Sequence, residues 1–221
     1  MEIEIRPLRP DDDRSSFLSG DVELDRFFRK YAGQNQFRLH VGVTYVASSA
    51  GRVVGYVTIA PGSMVINHLP RRERQQLPAY PLPVLRLARL AVATTHQGHG
   101  IGSRLVRFAL EMAREMASRF GCVGVVVDAL PEAMEFYARL GFFELVVEAG
   151  ALLSRPAPRP MFLPIGSIPG AGQEPARKPS GFHLQGVRPS WWDSGAGASH
   201  HIWARCRIHC CWWLAPFGPT P

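Results

Sequence analysis

Gln97-Gly98-His99-Gly100-Ile101-Gly102 stands between an apolar run, Leu85–Ala93, and a long amphipathic segment that begins near Ile101. Glycine has no Cβ, so a turn containing three of them lets backbone N–H groups come close to an anion. The helix that follows adds its free N–H groups and the positive end of its dipole at the same place. The stretch therefore reads as a phosphate cradle at a strand-to-helix junction. Taken alone, the same residues also fit a tight turn capping a helix in any α/β protein. Two better-known phosphate loops do not fit. A P-loop needs Lys and Ser/Thr after its glycines, and Ser103-Arg104 stands there instead. A dinucleotide-binding turn belongs to a first βα unit, whereas this one follows an antiparallel hairpin.

Outward from that turn, hydrophobic periodicity orders the chain. Glu2–Leu8 alternates as a first strand, and Asp11-Asp12-Asp13 and Ser19-Gly20-Asp21 lead into a helix near Val22–Tyr31. There Leu24, Phe27, Phe28 and Tyr31 are spaced for one buried face. Val43–Ala47 and Val53–Ile59 form a hairpin across Ser49-Ala50-Gly51-Arg52. Pro61 and Gly62 are expected to interrupt the second strand, with a strand resuming over Met64–His68. Leu69–Pro83, with three arginines, two glutamines and four prolines, reads as a loop that can hold a short helix over Arg71–Gln76. Leu85–Ala93 is a strand with Arg86 and alternate positions outward. Gly102–Phe120 is a helix with an apolar stripe of Leu105, Phe108, Ala109, Met112 and Met116. Val123–Asp128 is a buried strand, Glu132–Leu140 a helix stopped by Gly141, and Phe142–Val147 and Met161–Ile165 are closing strands. The order is that of an α/β domain.

Composition bounds the rest. The chain has 221 residues, 46% of them hydrophobic, without an uninterrupted apolar span of membrane length. Met1–Arg6 lacks the basic and apolar regions of a secretory signal, so a cytoplasmic protein is expected. The formal charge of +7 favours anionic partners. Residues 1–168 carry a net +4 and residues 169–221 a net +3, and only two of the 25 basic residues are lysines. The expected domain spans 1–168. All five tryptophans and three of the four cysteines fall in 169–221, where neither helix nor strand periodicity persists. That stretch reads as a poorly ordered tail, such as a shifted reading frame would produce. Its His200, His201, Cys206, His209, Cys210 and Cys211 match no common zinc spacing, and no metal is assigned.

Two motifs in order carry a resemblance. Leu90-Ala91-Val92 precedes Gln97, Gly100 and Gly102, which meet the pattern Arg/Gln-x-x-Gly-x-Gly/Ala. Ala133-Met134-Glu135-Phe136-Tyr137-Ala138-Arg139-Leu140-Gly141-Phe142 then follows the strand ending at Asp128. Over about residues 1–166 the chain resembles the GNAT (Gcn5-related N-acetyltransferase) superfamily. The resemblance implies a mixed, mostly antiparallel sheet flanked by helices, with a splayed strand pair that binds acetyl-CoA. By that resemblance Leu90, Ala91 and Val92 pair with the pantetheine arm. Gln97, Gly98, His99, Gly100, Ile101, Gly102 and Ser103 hold the pyrophosphate, and Phe136 and Tyr137 complete the cofactor site. It further implies direct transfer to a neutral amine, an oxyanion steadied by a backbone N–H near Val92, and Tyr137 as the acid that protonates the departing thiolate. An alternative role for Tyr137 is a core aromatic whose hydroxyl only fixes the cofactor.

Phe17, Ser19-Gly20, Leu24-Asp25-Arg26-Phe27-Phe28, Arg89–Val92, Asp128-Ala129-Leu130 and Met161-Phe162-Leu163-Pro164 narrow the resemblance to the GNAT toxins of toxin–antitoxin modules. These acetylate the α-amine of aminoacyl-tRNA, usually dimerise, and are neutralised by a ribbon-helix-helix antitoxin. Arg71, Arg72, Arg74, Arg86 and Arg89 lie in or near the loop before the cofactor strand and are candidates for tRNA phosphates. A solvated basic loop explains the first three equally well. Two further readings stay open: an acetyltransferase of a small or protein amine, with Asp128 or Glu132 as base, and an impaired module that binds acetyl-CoA or nucleic acid without turnover.

Overall fold

Alternating apolar residues build a seven-stranded sheet, and helical segments pack on its two faces. The computed structural model describes residues 2–69, 74, 77–78, 80–145 and 158–168. The chain divides into two units, Met1–Ala171 and Gly172–Pro221, and every described residue belongs to the first. The tail from residue 169, together with Arg71 and Arg72, lies outside the described residues. So does most of the short helix expected over Arg71–Gln76.

Strand β1 (Glu4–Pro7) leads to a helical run made of α1 (Val22–Arg26), a π turn (Phe27–Tyr31) and α2 (Ala32–Phe37). Asp21 caps α1 by accepting hydrogen bonds from the Glu23 and Leu24 amides. β2 (Val43–Ser49) and β3 (Arg52–Met64) form the hairpin, turning at Ala50 and Gly51, both at positive φ. After β4 (Leu82–Val92) come α3 (Ile101–Arg119), β5 (Gly124–Ala129), α4 (Met134–Arg139), β6 (Phe143–Glu144) and β7 (Arg159–Pro164). The sheet order is β1-β2-β3-β4-β5-β7-β6, antiparallel everywhere except between β4 and β5. Among the described residues no helix is long and apolar enough to cross a membrane.

Three expectations are corrected. β3 runs through Pro61 and Gly62 to Met64, and a 3-10 turn over Ile66–His68 stands where a strand was expected to resume. β2 pairs with β3 only as far as Ile59, so Pro61 lies where β3 has an open side and a missing N–H is tolerated. The buried stripe of α3 is Ile101, Leu105, Val106, Ala109, Leu110 and Ala113, while Phe108, Met112 and Met116 are half-buried at its margin.

The third correction is in β4. Thr58 pairs with Arg89 but Ile59 pairs with Leu87, so Ala88 is an extra residue on β4, a β-bulge. Before it Leu85 and Leu87 face the α3 core; after it Leu90 and Val92 pack against that same core, while Ala91 joins the cluster on the opposite face. Simple alternation from Arg86 would have put Leu90 and Val92 outward. On the opposite face Phe17, Phe28 and Tyr56 pack together, with Phe28 stacked on Tyr56 at 4.4 Å. Tyr56 also donates its hydroxyl to the Leu24 carbonyl at 2.8 Å.

Candidate active site

The bulge marks where the sheet opens. β4 pairs with β5 only from Leu85↔Val125 to Leu87↔Val127. Beyond that point β4 continues along β3 to Val92↔Gly55, and β5 continues along β7 to Ala129↔Arg159. The Ala93 amide donates to the Val54 carbonyl at 2.9 Å, which fixes the phase of the β3–β4 ladder. Alternate residues of an antiparallel pair turn their backbone groups toward the partner. Ala91 therefore bonds toward Tyr56, while Leu90 and Val92 turn their N–H and C=O groups into the space that β5 has left. Of the three residues expected to face this gap with their backbone, Leu90 and Val92 are so oriented and Ala91 is not.

At the wide end of the gap lies the glycine turn. Gly98 and Gly100 adopt φ of +77° and +75°, and a Cβ built on either would meet no atom within 4 Å. Their backbone is exposed rather than packed, and conformation alone demands glycine there. Gly100 is the N-cap of the 19-residue α3 and no side chain caps the helix, so its first N–H groups point outward. Ile101 is fully buried and anchors the turn to the core, Ser103 is half-buried, and the exposed His99 bonds, among the described residues, to the Gln97 carbonyl of its own turn. Gln97 does something else. Its Nε2 donates to the Ser19 carbonyl at 2.8 Å and the Val92 carbonyl at 3.1 Å, so both of its amide hydrogens are committed within the protein.

Helix α4 closes the other side. Phe136 lies against the position of Gly102, and Tyr137 is 5% exposed, edge-on to Phe136 and Phe142 at 5.1 and 5.5 Å. Among the described residues the Tyr137 hydroxyl has no hydrogen-bond partner, and burial pushes its phenol well above the ordinary range.

The arginines divide. Arg86 is ion-paired with Asp128, which ties that carboxylate to the sheet. Arg89 is exposed, donates to the Ala88 carbonyl at 2.7 Å, and sits 5.4 Å from the centroid of the Phe27 ring. Phe27 was expected on a buried helix face with Leu24, Phe28 and Tyr31; the π turn instead leaves it half-buried beside Arg89 and Tyr31 exposed, while Phe28 enters the core. Arg74 is half-buried, in a stretch of which only isolated residues are described, and nothing brings it to the gap. The contacts of Gln97 with Ser19 were also absent from the sequence reading, since the two lie 78 positions apart.

Comparison with known proteins agrees with this geometry. The family model described as Acetyltransferase (GNAT) family matches residues 4–142. A tRNA-acetylating toxin of Mycobacterium tuberculosis is 39% identical over 135 residues, which is 59% of this chain and 78% of that protein. The solved structure of AtaT complexed with acetyl-methionyl-tRNA superposes with a TM-score of 0.67 at 26% identity, covering 76% of this chain and 97% of that one. A tyrosine-to-phenylalanine mutant of the AtaT toxin, bound to the C-terminus of the antitoxin AtaR and to acetyl-CoA, gives 0.61 at 25% identity over 76% of this chain and 96% of that one.

Proposed function

The chain belongs to the acetyltransferase (GNAT) family, and from that premise we propose that it acetylates the α-amine of aminoacyl-tRNA and so blocks translation, as the toxin of a toxin–antitoxin pair. The observation that carries the chemistry is the opening between β4 and β5. Around it stand the backbone of Leu90 and Val92, the exposed turn at Gly98 and Gly100, and, on α4, Phe136 against Gly102 with Tyr137 beside it. These groups fit acetyl-CoA in kind: an extended amide-bearing arm for the strand, a pyrophosphate for the turn, and a leaving sulfur for the phenol. When bound, acetyl-CoA supplies an acyl group activated as a thioester.

The chain's own groups do the rest. Leu90 N–H and C=O hold the arm as an added strand would, and the Val92 N–H steadies negative charge on the carbonyl oxygen. Its own carbonyl is held by Gln97. Tyr137, like any phenol, keeps its proton at neutral pH and can hand it to the departing sulfur. No carboxylate need act as base. Asp128 is engaged by Arg86, and an α-amine, with an ordinary pKa of about 8, is far more often neutral near pH 7 than a lysine at about 10.4.

For the acceptor, support comes from the likeness to a tRNA-acetylating toxin and to a toxin solved with acetyl-methionyl-tRNA. Arg89, at the mouth of the gap, is the arginine best placed to meet the acceptor end. A ribbon-helix-helix antitoxin and a homodimer belong to the same reading, and solved relatives bound to an antitoxin support the first. The test is cell-free translation. The protein with acetyl-CoA should stop synthesis, and freshly charged tRNA should restore it. Inhibition that does not require acetyl-CoA, or none at all, would exclude this function.

A further inference from the structure

The turn that faces the anion does not stand alone on β4. Two hydrogen bonds fasten it to the segment before α1: the Thr94 amide donates to the Leu18 carbonyl at 2.9 Å, and Gln97 Nε2 donates to the Ser19 carbonyl at 2.8 Å. A Cβ added to Gly20, at φ of +94°, would lie 3.6 Å from the Thr94 methyl. The Leu18–Gly20 segment is in turn shaped by a carboxylate. Asp25, 1% exposed, accepts through Oδ1 from both the Ser19 amide at 2.8 Å and the Ser19 hydroxyl at 2.7 Å. Its Oδ2 lies 3.7 Å from Arg29. Burying a carboxylate is expensive unless its partners are fixed, and here one of those partners, Ser19, also holds the turn.

We propose that Asp25 and Gln97 are positioning residues for acetyl-CoA, acting through Ser19: the buried carboxylate sets the Ser19 carbonyl, that carbonyl sets Gln97, and Gln97 sets both the glycine turn and the Val92 carbonyl. Gln97 thus serves the cofactor through its side-chain grip on two carbonyls rather than by offering its carboxamide to phosphate. The helix α1 and the cofactor turn are coupled, so disturbance on the α1 side loosens the donor site. This rests on the acetyl-CoA reading above, and the carboxylate buried on α1 has no other role in the proposed chemistry.

The experiment is a double-mutant cycle on the full chain, read by acetyl-CoA titration calorimetry and by hydrogen exchange without ligand. Gln97→Ala, at an exposed position, should raise the acetyl-CoA Kd at least fivefold and the KM in parallel, and lower kcat as the Val92 carbonyl is released. Asp25→Ala should do the same, and the double variant should be no worse than the worse single. Asp25→Asn, which keeps an accepting oxygen, should recover most of the affinity. In ligand-free protein, Asp25→Ala should speed exchange of the Thr94 amide at least tenfold while amides in the middle of α3 are unchanged. Wild-type affinity in Gln97→Ala, additive losses in the double variant, or unchanged exchange at Thr94 would overturn the proposal. A wild-type protein that ignores acetyl-CoA would instead reject the function proposed above, and the exchange arm would still decide the coupling.

Discussion

A Cβ added to Gly102 would lie 3.5 Å from Phe136 Cζ and 3.8 Å from Val92 Cγ2, so the first turn of α3, the end of β4 and α4 meet at one point with room for a methyl group and no more. That spacing explains why the motif at this position admits glycine or alanine. Gly102→Ala should keep wild-type acetyl-CoA affinity. Gly102→Val should displace Phe136, and with it Tyr137, raising the KM for acetyl-CoA at least tenfold. Steady-state kinetics with thermal melts would separate this from unfolding.

Gly100 poses the opposite case. Its surroundings are open and its φ is +75°, so any loss on substitution comes from the backbone. Gly100→Ala should cost about 1–2 kcal/mol if the turn keeps its shape, and Gly100→Asn less, since asparagine tolerates this region. If the turn instead relaxes to negative φ, stability recovers while acetyl-CoA affinity falls. Urea denaturation paired with calorimetric titration distinguishes the two.

Tyr137 carries a hydroxyl with no protein partner among the described residues. Removing it should leave stability within about 0.5 kcal/mol of wild type, because no hydrogen bond is lost. Turnover should fall at least a hundredfold. A Tyr137→Phe protein that melts as wild type and binds acetyl-CoA, yet transfers at the wild-type rate, would remove the phenol from the mechanism.

Burial pushes the phenols of both Tyr137 and Tyr56 upward. The unfolded chain releases these protons near pH 10 while the folded chain retains them, so unfolding binds fewer protons and stability declines as pH rises. The contribution is intact below about pH 10 and is lost above it, by about 1.4 kcal/mol per pH unit for each phenol. Replacing Tyr137 with Phe should flatten that slope by one proton, as measured by denaturation between pH 9 and 11. By the same sign, transfer at pH 7–9 should show no basic limb from Tyr137.

The glycine turn and the Tyr137 helix were legible in sequence because each is a local pattern: a short motif at a strand end and an apolar helix closed by Gly141. The bulge was written there too, in the two-three-two spacing of Leu85, Leu87, Leu90 and Val92, but an apolar run reads equally well as plain alternation. What escaped was set by distant neighbours. Pro61 was tolerated because the β2–β3 pairing stops at Val43↔Ile59, which a single strand cannot reveal. Arg86 met Asp128 because β4 and β5 are adjacent over three residue pairs, 42 positions apart in the chain. Ser19 met Gln97 only once the sheet had brought the first helical run over the end of β4. Arg71 and Arg72 lie outside the described residues, and their assignment to tRNA stays a proposal.

The central claim is the acceptor. The most direct measurement incubates the purified protein with acetyl-CoA bearing a labelled acetyl group and a mixture of charged tRNAs, then identifies the labelled adduct by mass spectrometry after nuclease digestion. The account predicts N-acetyl-aminoacyl-adenosine, formed by wild type and at least a hundredfold less by Tyr137→Phe. Label found on lysine side chains or small amines, with aminoacyl-adenosine unmodified by a protein that binds acetyl-CoA, would contradict it.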